Sequence, residues 1–197
     1  MATKKYFVAI LISIFLATVF ATCRKNNCKQ SVYNFKVGIK ARPNIDSIAL
    51  SDTLWFTINE SNELSDVNLN RPVLFKNAAN LSFVFGIRKV ISAQTIQPSV
   101  SSFNYVIRKG TNIQPFDPLL FKEFQLVEEN NRYLLEVGFI AKEKGIFRVL
   151  TESAANVYTR DNQCDKAGFS IRYVDTDQHF YLGYNISGEG VYYFKIY

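Results

Sequence analysis

The sequence predicts an all-β fold: two antiparallel sheets packed face to face as a β-sandwich, with at most one or two short helices. Three observations predict it. Apolar and polar residues alternate with a period of two in many short runs. Turn-forming Gly, Asn, Asp and Ser separate those runs. Few segments show the 3.6-residue spacing of a helix.

The first clear run is VYNFKVGIK (32–40), where Tyr33, Phe35, Val37 and Ile39 alternate with Asn34, Lys36, Gly38 and Lys40. That is the pattern of a strand with one buried face. Arg42-Pro43-Asn44 breaks it. IALSDTLWFTIN (48–59) resumes, with Leu54, Phe56 and Ile58 on one face and Trp55 and Thr57 on the other. NLSFVFGIRKVI (80–91) aligns Leu81, Phe83, Phe85 and Ile87. Further strands are expected at 102–108, 124–128, 132–142, 145–151, 168–174, 179–185 and 190–197, with turn chemistry at Asn130-Asn131, Lys144-Gly145 and 187–190. Asp117-Pro118 ahead of LLFKEF has an N-cap residue and a proline at the first helical position, which predicts one or two helical turns. Ser153-Ala154-Ala155 predicts another short helix.

Short strands punctuated by turns fit a sandwich or a barrel. An immunoglobulin-like sandwich is the expectation, although the inter-sheet Cys…Trp…Cys spacing is absent, because Cys28 precedes the first clear strand. The rival is an outer-membrane barrel, prompted by the aromatic C-terminus VYYFKIY. Tyr197 fits that reading. Lys195 does not, since it would face hydrocarbon at about 2–4 kcal/mol near the midplane.

Residues 1–22 have the parts of an export signal: Lys4 and Lys5, the uncharged run YFVAILISIFL, then small residues. The apolar stretch from Tyr6 to Ala21 is about 16 residues, short of the roughly 20 that span a bilayer. Val19-Phe20-Ala21 would suit an ordinary signal peptidase. Phe20-Ala21-Thr22-Cys23 resembles instead the lipobox of bacterial lipoproteins, whose usual form is Leu, a small residue, Gly, Ala or Ser, then Cys. Phe20 and Thr22 depart from that form. The resemblance implies removal of a lipoprotein-type signal peptide (1–22) and a lipidated Cys23 heading a tether (23–31). A single β-sandwich domain (32–197) follows. Arg24 stands where the inner-membrane lipoproteins have Asp, so the resemblance implies the outer membrane.

The chain has three cysteines, and an odd thiol is a liability in an oxidising compartment. With lipid on Cys23, Cys28 and Cys164 remain to pair, closing a loop that stabilises by up to ~5 kcal/mol in the chain-entropy model. A small Cys23–Cys28 loop that leaves Cys164 free or buried is the alternative. Arg24, Lys25 and Lys29 would lie near acidic head groups, each contributing about 1 kcal/mol at most.

Without residues 1–22, 21 basic and 17 acidic residues remain, a net charge of +4. The basic pairs at 88–89 and 108–109 are isolated, whereas a nucleic-acid binder concentrates its charge on one face. No nucleic-acid partner is expected.

Catalytic signals are sparse. The single histidine, His179, follows Asp175 and Asp177 at alternate positions, so an extended backbone would place the three on one face, fit to hold a metal or orient a general base. The same stretch reads equally as a polar hairpin turn. No G-x-S-x-G elbow, C-x-x-C pair or phosphate loop occurs. The expectation is therefore no enzyme and no cofactor. Aromatic residues abound, and Trp55, Tyr192, Tyr193 and Tyr197 are candidates for a solvent-facing strip that stacks on sugars or receives a peptide.

In layout the chain resembles envelope lipoproteins of Gram-negative bacteria. It is expected to be a membrane-tethered, non-enzymatic binding or accessory module whose partner is an envelope protein, a peptide or a glycan. A structural envelope component is the alternative. A metal-binding protein or hydrolase using Asp175, Asp177 and His179 is a further one.

Overall fold

The structure, a computed structural model, describes residues 30–161, 164–174 and 190–197. The first half of the chain forms β1 (Ser31–Arg42), β2 (Ser47–Ile48), β3 (Thr53–Ser61), β4 (Glu63–Asp66), β5 (Arg71–Leu74), β6 (Ala78–Ala79), β7 (Ser82–Val90) and β8 (Ile96–Pro98). A single 3-10 turn, Val100–Ser102, leads into β9 (Phe103–Lys109), β10 (Thr111–Ile113), β11 (Phe121–Gln125) and β12 (Val127–Glu129). The chain continues through β13 (Arg132–Ala141), β14 (Gly145–Glu152), β15 (Ala154–Thr159), β16 (Asp165–Tyr173) and β17 (Val191–Ile196). No α-helix occurs among the described residues.

Two sheets pack as the predicted β-sandwich. The first runs β12-β13-β3-β1-β16-β15-β6, with β4 attached to β1, β5 to β4, and β9 beside β13. The second runs β10-β11-β7-β14-β17-β2, with β8 beside β7. Most ladders are antiparallel, as expected. Two are not: β1 lies parallel to β16 from Ser31↔Asp165 to Ile39↔Tyr173, and β17 lies parallel to β2. A parallel pair needs a long connection, and here nearly the whole domain separates β1 from β16.

The alternation read from the sequence sets the core. Leu54, Phe56 and Ile58 are buried from β3, Leu81, Phe83, Phe85 and Ile87 from β7 and the residue before it, and Tyr192, Phe194 and Ile196 from β17. Phenylalanines dominate between the sheets. The ring of Phe139 meets those of Phe56 at 4.8 Å, Tyr105 at 5.0 Å, Phe85 at 5.9 Å, Phe103 at 6.1 Å and Phe124 at 6.3 Å. Tilted and edge-on contacts of this kind add to the burial of the rings themselves.

Several local expectations are corrected. No helix forms after Asp117. The Leu119 amide donates to the Asp117 carboxylate at 3.0 Å and the Phe121 amide to its carbonyl, which makes one turn before Phe121 enters its ladder with β7. Sheet pairing thus ends the segment before a second turn can follow. Ala154 and Ala155 begin β15 instead of a helix. The run at 124–128 is split, because β11 belongs to the second sheet and β12 to the first, with Leu126 crossing between them. The ladder also starts at Ser31, inside the segment read as tether, where the Ser31 amide donates to the Cys164 carbonyl at 3.1 Å. The run 179–185 lies outside the described residues.

Candidate functional site

β9 carries the candidate site. Its sequence FNYVIRK alternates, so Phe103 is buried, Tyr105 and Ile107 pack at the margin of the core, and Asn104, Val106 and Arg108 face outward. Tyr105 is anchored by its hydroxyl, which donates to the Val100 carbonyl at 2.7 Å, and burial raises its phenol well above the ordinary value. β9 pairs with β13 on one side only, from Ala141↔Phe103 to Glu136↔Lys109, with a bulge at Glu136/Val137.

The hydrogen-bond parity of that ladder follows from one contact. The Lys142 amide donates to the Ser102 carbonyl at 3.0 Å. In an antiparallel ladder bonded and non-bonded positions alternate. Asn104 and Val106 therefore turn their amides and carbonyls toward β13, while Phe103, Tyr105 and Ile107 turn theirs to the outer edge. No backbone group pairs with that outer edge among the described residues. An edge of this kind is a template for another extended chain.

The edge opens onto a groove of about 550 Å³. Phe103, Tyr105 and Ile107 line one wall, and Asn112, Leu119 and Lys122 the other. The second wall exists because Gly110, at φ +94°, lets the chain leave β9 in the first sheet and enter β10 in the second. Lys122 projects inward from β11, its ammonium 5.0 Å from the centroid of Tyr105, and no carboxylate pairs with it among the described residues. Arg108 and Lys109, by contrast, are paired with Glu136 and Glu129. Leu119, which lines this groove, is 80% exposed.

The aromatic residues singled out from sequence do not form one strip. Trp55 lies on the outer face of the first sheet, covered by the guanidinium of Arg108 at 3.8 Å. Tyr193 and Tyr197 lie on the outer face of the second sheet. Tyr192 is a correction: it is 2% exposed and faces the core. Its hydroxyl donates to the Ile45 carbonyl at 3.0 Å, and burial, helped by the charge of Asp46, pushes its pKa up to about 12. The reason is parity, since Tyr192 shares its face with Phe194 and Ile196. Cys164 directly precedes β16, and Cys23 and Cys28 lie outside the described residues. Asp175, Asp177 and His179 also lie outside them. Among the described residues no group of three His, Cys, Asp or Glu side chains could hold a metal ion.

The most buried carboxylate does structural work. Asp66, 1% exposed, accepts the amides of Asn34 at 2.8 Å, Asn68 at 2.9 Å and Leu69 at 2.6 Å. Burial raises its pKa, but these three bonds and the charge of Arg71 outweigh that and leave it below the ordinary value.

The β9 groove was not among the sites expected from sequence. Its one local signal is the apolar content of FDPLLF (116–121), which reads as a short helix when taken alone.

No protein-family model matches the chain, and no curated protein matches it. Among solved structures it is similar to the human F-spondin reeler domain at 8% identity, over 88% of this chain and 99% of that one, with a TM-score of 0.41. At that distance the likeness carries no argument about function.

Proposed function

We propose that this chain is an exported, lipid-anchored, non-enzymatic binding module of the cell envelope that captures an extended segment of a partner polypeptide on the outer edge of β9. The observation that carries this reading is the unpaired edge at Phe103, Tyr105 and Ile107, opening onto a groove of mixed polar and apolar lining. Its unpaired amides and carbonyls are complementary to another backbone, and strand addition is the mode of recognition that uses them. From Phe103 to Ile107 the edge offers about 13 Å of ladder. Lys122 favours a partner with an acidic side chain at the groove.

The tether reading rests on the lipobox-like FATC ending at Cys23, with the outer membrane as its destination. Pairing of Cys28 with Cys164 is supported by the bond between Ser31 and Cys164, since Cys28 precedes Ser31 by only three residues. Such a bridge would clamp the start of the domain next to the lipid.

Intact mass of the protein extracted from membranes, with and without reductant, tests the tether. The expected result is loss of residues 1–22, added acyl chains and a two-hydrogen gain on reduction. An unlipidated mass beginning near Thr22 overturns it. A photo-crosslinking residue at Leu119 tests the groove, with Val67 as the exposed control position beyond β4. A polypeptide adduct is expected at 119 alone and should be lost on Ile107→Pro, which removes an outward amide without breaking a β13 bond. Equal adducts at both positions, or no effect of the proline, overturn strand capture.

A further inference from the structure

The outer face of the second sheet carries an arrangement that the β9 groove does not use. Arg88 of β7 and Arg148 of β14 stand directly opposite each other in their antiparallel ladder. Both are half-buried and both point away from the core, since their neighbours Ile87, Phe147 and Val149 fill it. Like charges directly opposed across a ladder destabilise it. No carboxylate offsets this pair: neither arginine has an ion-pair partner among the described residues. The acids on the same face, Glu123 and Glu152, flank Val84, four residues along the strands and about 13 Å away. The Nε of Arg148 is buried with no hydrogen-bond partner. A third cation, Lys195, sits diagonally beside Arg148 on β17, opposite Ile146.

The surroundings are apolar. Arg88 lies over the ring of Phe121, 6.0 Å from its centroid, and Phe121 stands opposite Gly86. Leu150 pairs with Gly86 on the other side and with Val191 beyond it. A pair of guanidinium groups presents planar donors matched to two oxygens of a phosphate or carboxylate, and the apolar row beside it suits a hydrocarbon body.

We propose that Arg88 and Arg148 form an anion-binding site for an amphiphile, gripping its phosphate or carboxylate group while Phe121, Leu150 and Val191 contact its apolar part. The site lies on the opposite sheet from β9 and stands or falls independently of strand capture. Its chemistry fits a lipid head group or a free phosphorylated or carboxylated ligand.

Full-length protein in a neutral detergent is titrated calorimetrically with inorganic phosphate and with dihexanoyl phosphatidic acid, at fixed ionic strength. Saturable binding of at least one probe is expected, weakened at least tenfold by Arg88→Gln or Arg148→Gln. Tighter binding of the phosphatidic acid assigns a lipid-like ligand; equal or tighter binding of phosphate assigns a free anion. In phosphate-free buffer each single variant should melt no lower than the wild type, because removing one charge relieves the repulsion. Wild-type titrations indistinguishable from those of the double variant overturn the site. Variants that melt well below wild type without anion assign the arginines a structural role and overturn it equally.

Discussion

Arg108 of β9 holds its guanidinium carbon 3.8 Å above the ring of Trp55 on β3, reaching across β13, while its Nη1 bonds Glu136 of β13 at 3.0 Å. The side chain thus roofs an indole that would otherwise face water. Trp55 is the single tryptophan of the chain, so its fluorescence reports this contact alone. Arg108→Ala is expected to increase acrylamide quenching of that emission and to lower stability by about 0.5–1 kcal/mol. Unchanged quenching would show that the roof is not occupied in solution. Because Arg108 is mostly exposed, its ion pair with Glu136 adds little to this sum.

Asp66 predicts an acid response. Its folded pKa lies below the ordinary carboxylate value, so the stability it contributes is present above the unfolded pKa near 4 and is lost as pH falls through the folded value. Asp66→Ala should lower stability at pH 7 by about 1–3 kcal/mol, since the amides of Asn34, Asn68 and Leu69 lose a charged acceptor. Below pH 4 the gap between variant and wild type should narrow. Chemical denaturation at pH 7 and pH 3 measures both, and a gap that does not change with pH removes the charge from the explanation.

Phe139 sits where the aromatic contacts of the core converge, with no exposed surface. Phe139→Ala is expected to cost about 3–5 kcal/mol, as large-to-small changes of buried aromatic residues do. At this domain size that is a fall in melting temperature of roughly 6–20 °C. Phe116→Ala, at a fully exposed position, should shift it by no more than about 1 °C in thermal unfolding.

Gly110 joins the two walls of the groove. A Cβ there would lie 2.6 Å from the Gln125 carbonyl oxygen, and the φ of +94° is one that side chains rarely adopt. Gly110→Ala is expected to destabilise by about 1–3 kcal/mol and to reduce crosslinking at position 119, because β10 must shift. A variant with wild-type melting and wild-type crosslinking would show that the crossover tolerates the change.

The faces of the strands were legible in the sequence. Leu54, Phe56 and Ile58 are inward and Trp55 outward, as alternation requires, and the same holds along β7 and β17. Short edge elements were not: β5, with its sequence RPVL, and β8, with IQP, carry too little alternation to stand out. Tyr192 differs for another reason: both faces of YYFKIY carry aromatic residues, so alternation alone does not say which of them meets the core.

Alternation is a local property, because successive side chains of an extended chain must point to opposite sides, and residues 32–40 or 132–142 express it without reference to anything distant. Pairing is not local. Which strand lies beside β1, and that it is the parallel β16, depends on contacts between residues more than a hundred positions apart. The open edge of β9 and the meeting of Arg88 with Arg148 arise in the same way. Each depends on where a ladder ends or which register two distant strands take, and no stretch of sequence encodes that alone. The amino-acid pattern therefore specifies a sandwich with a phenylalanine core, while the packing of its sheets creates the surfaces on which it can act.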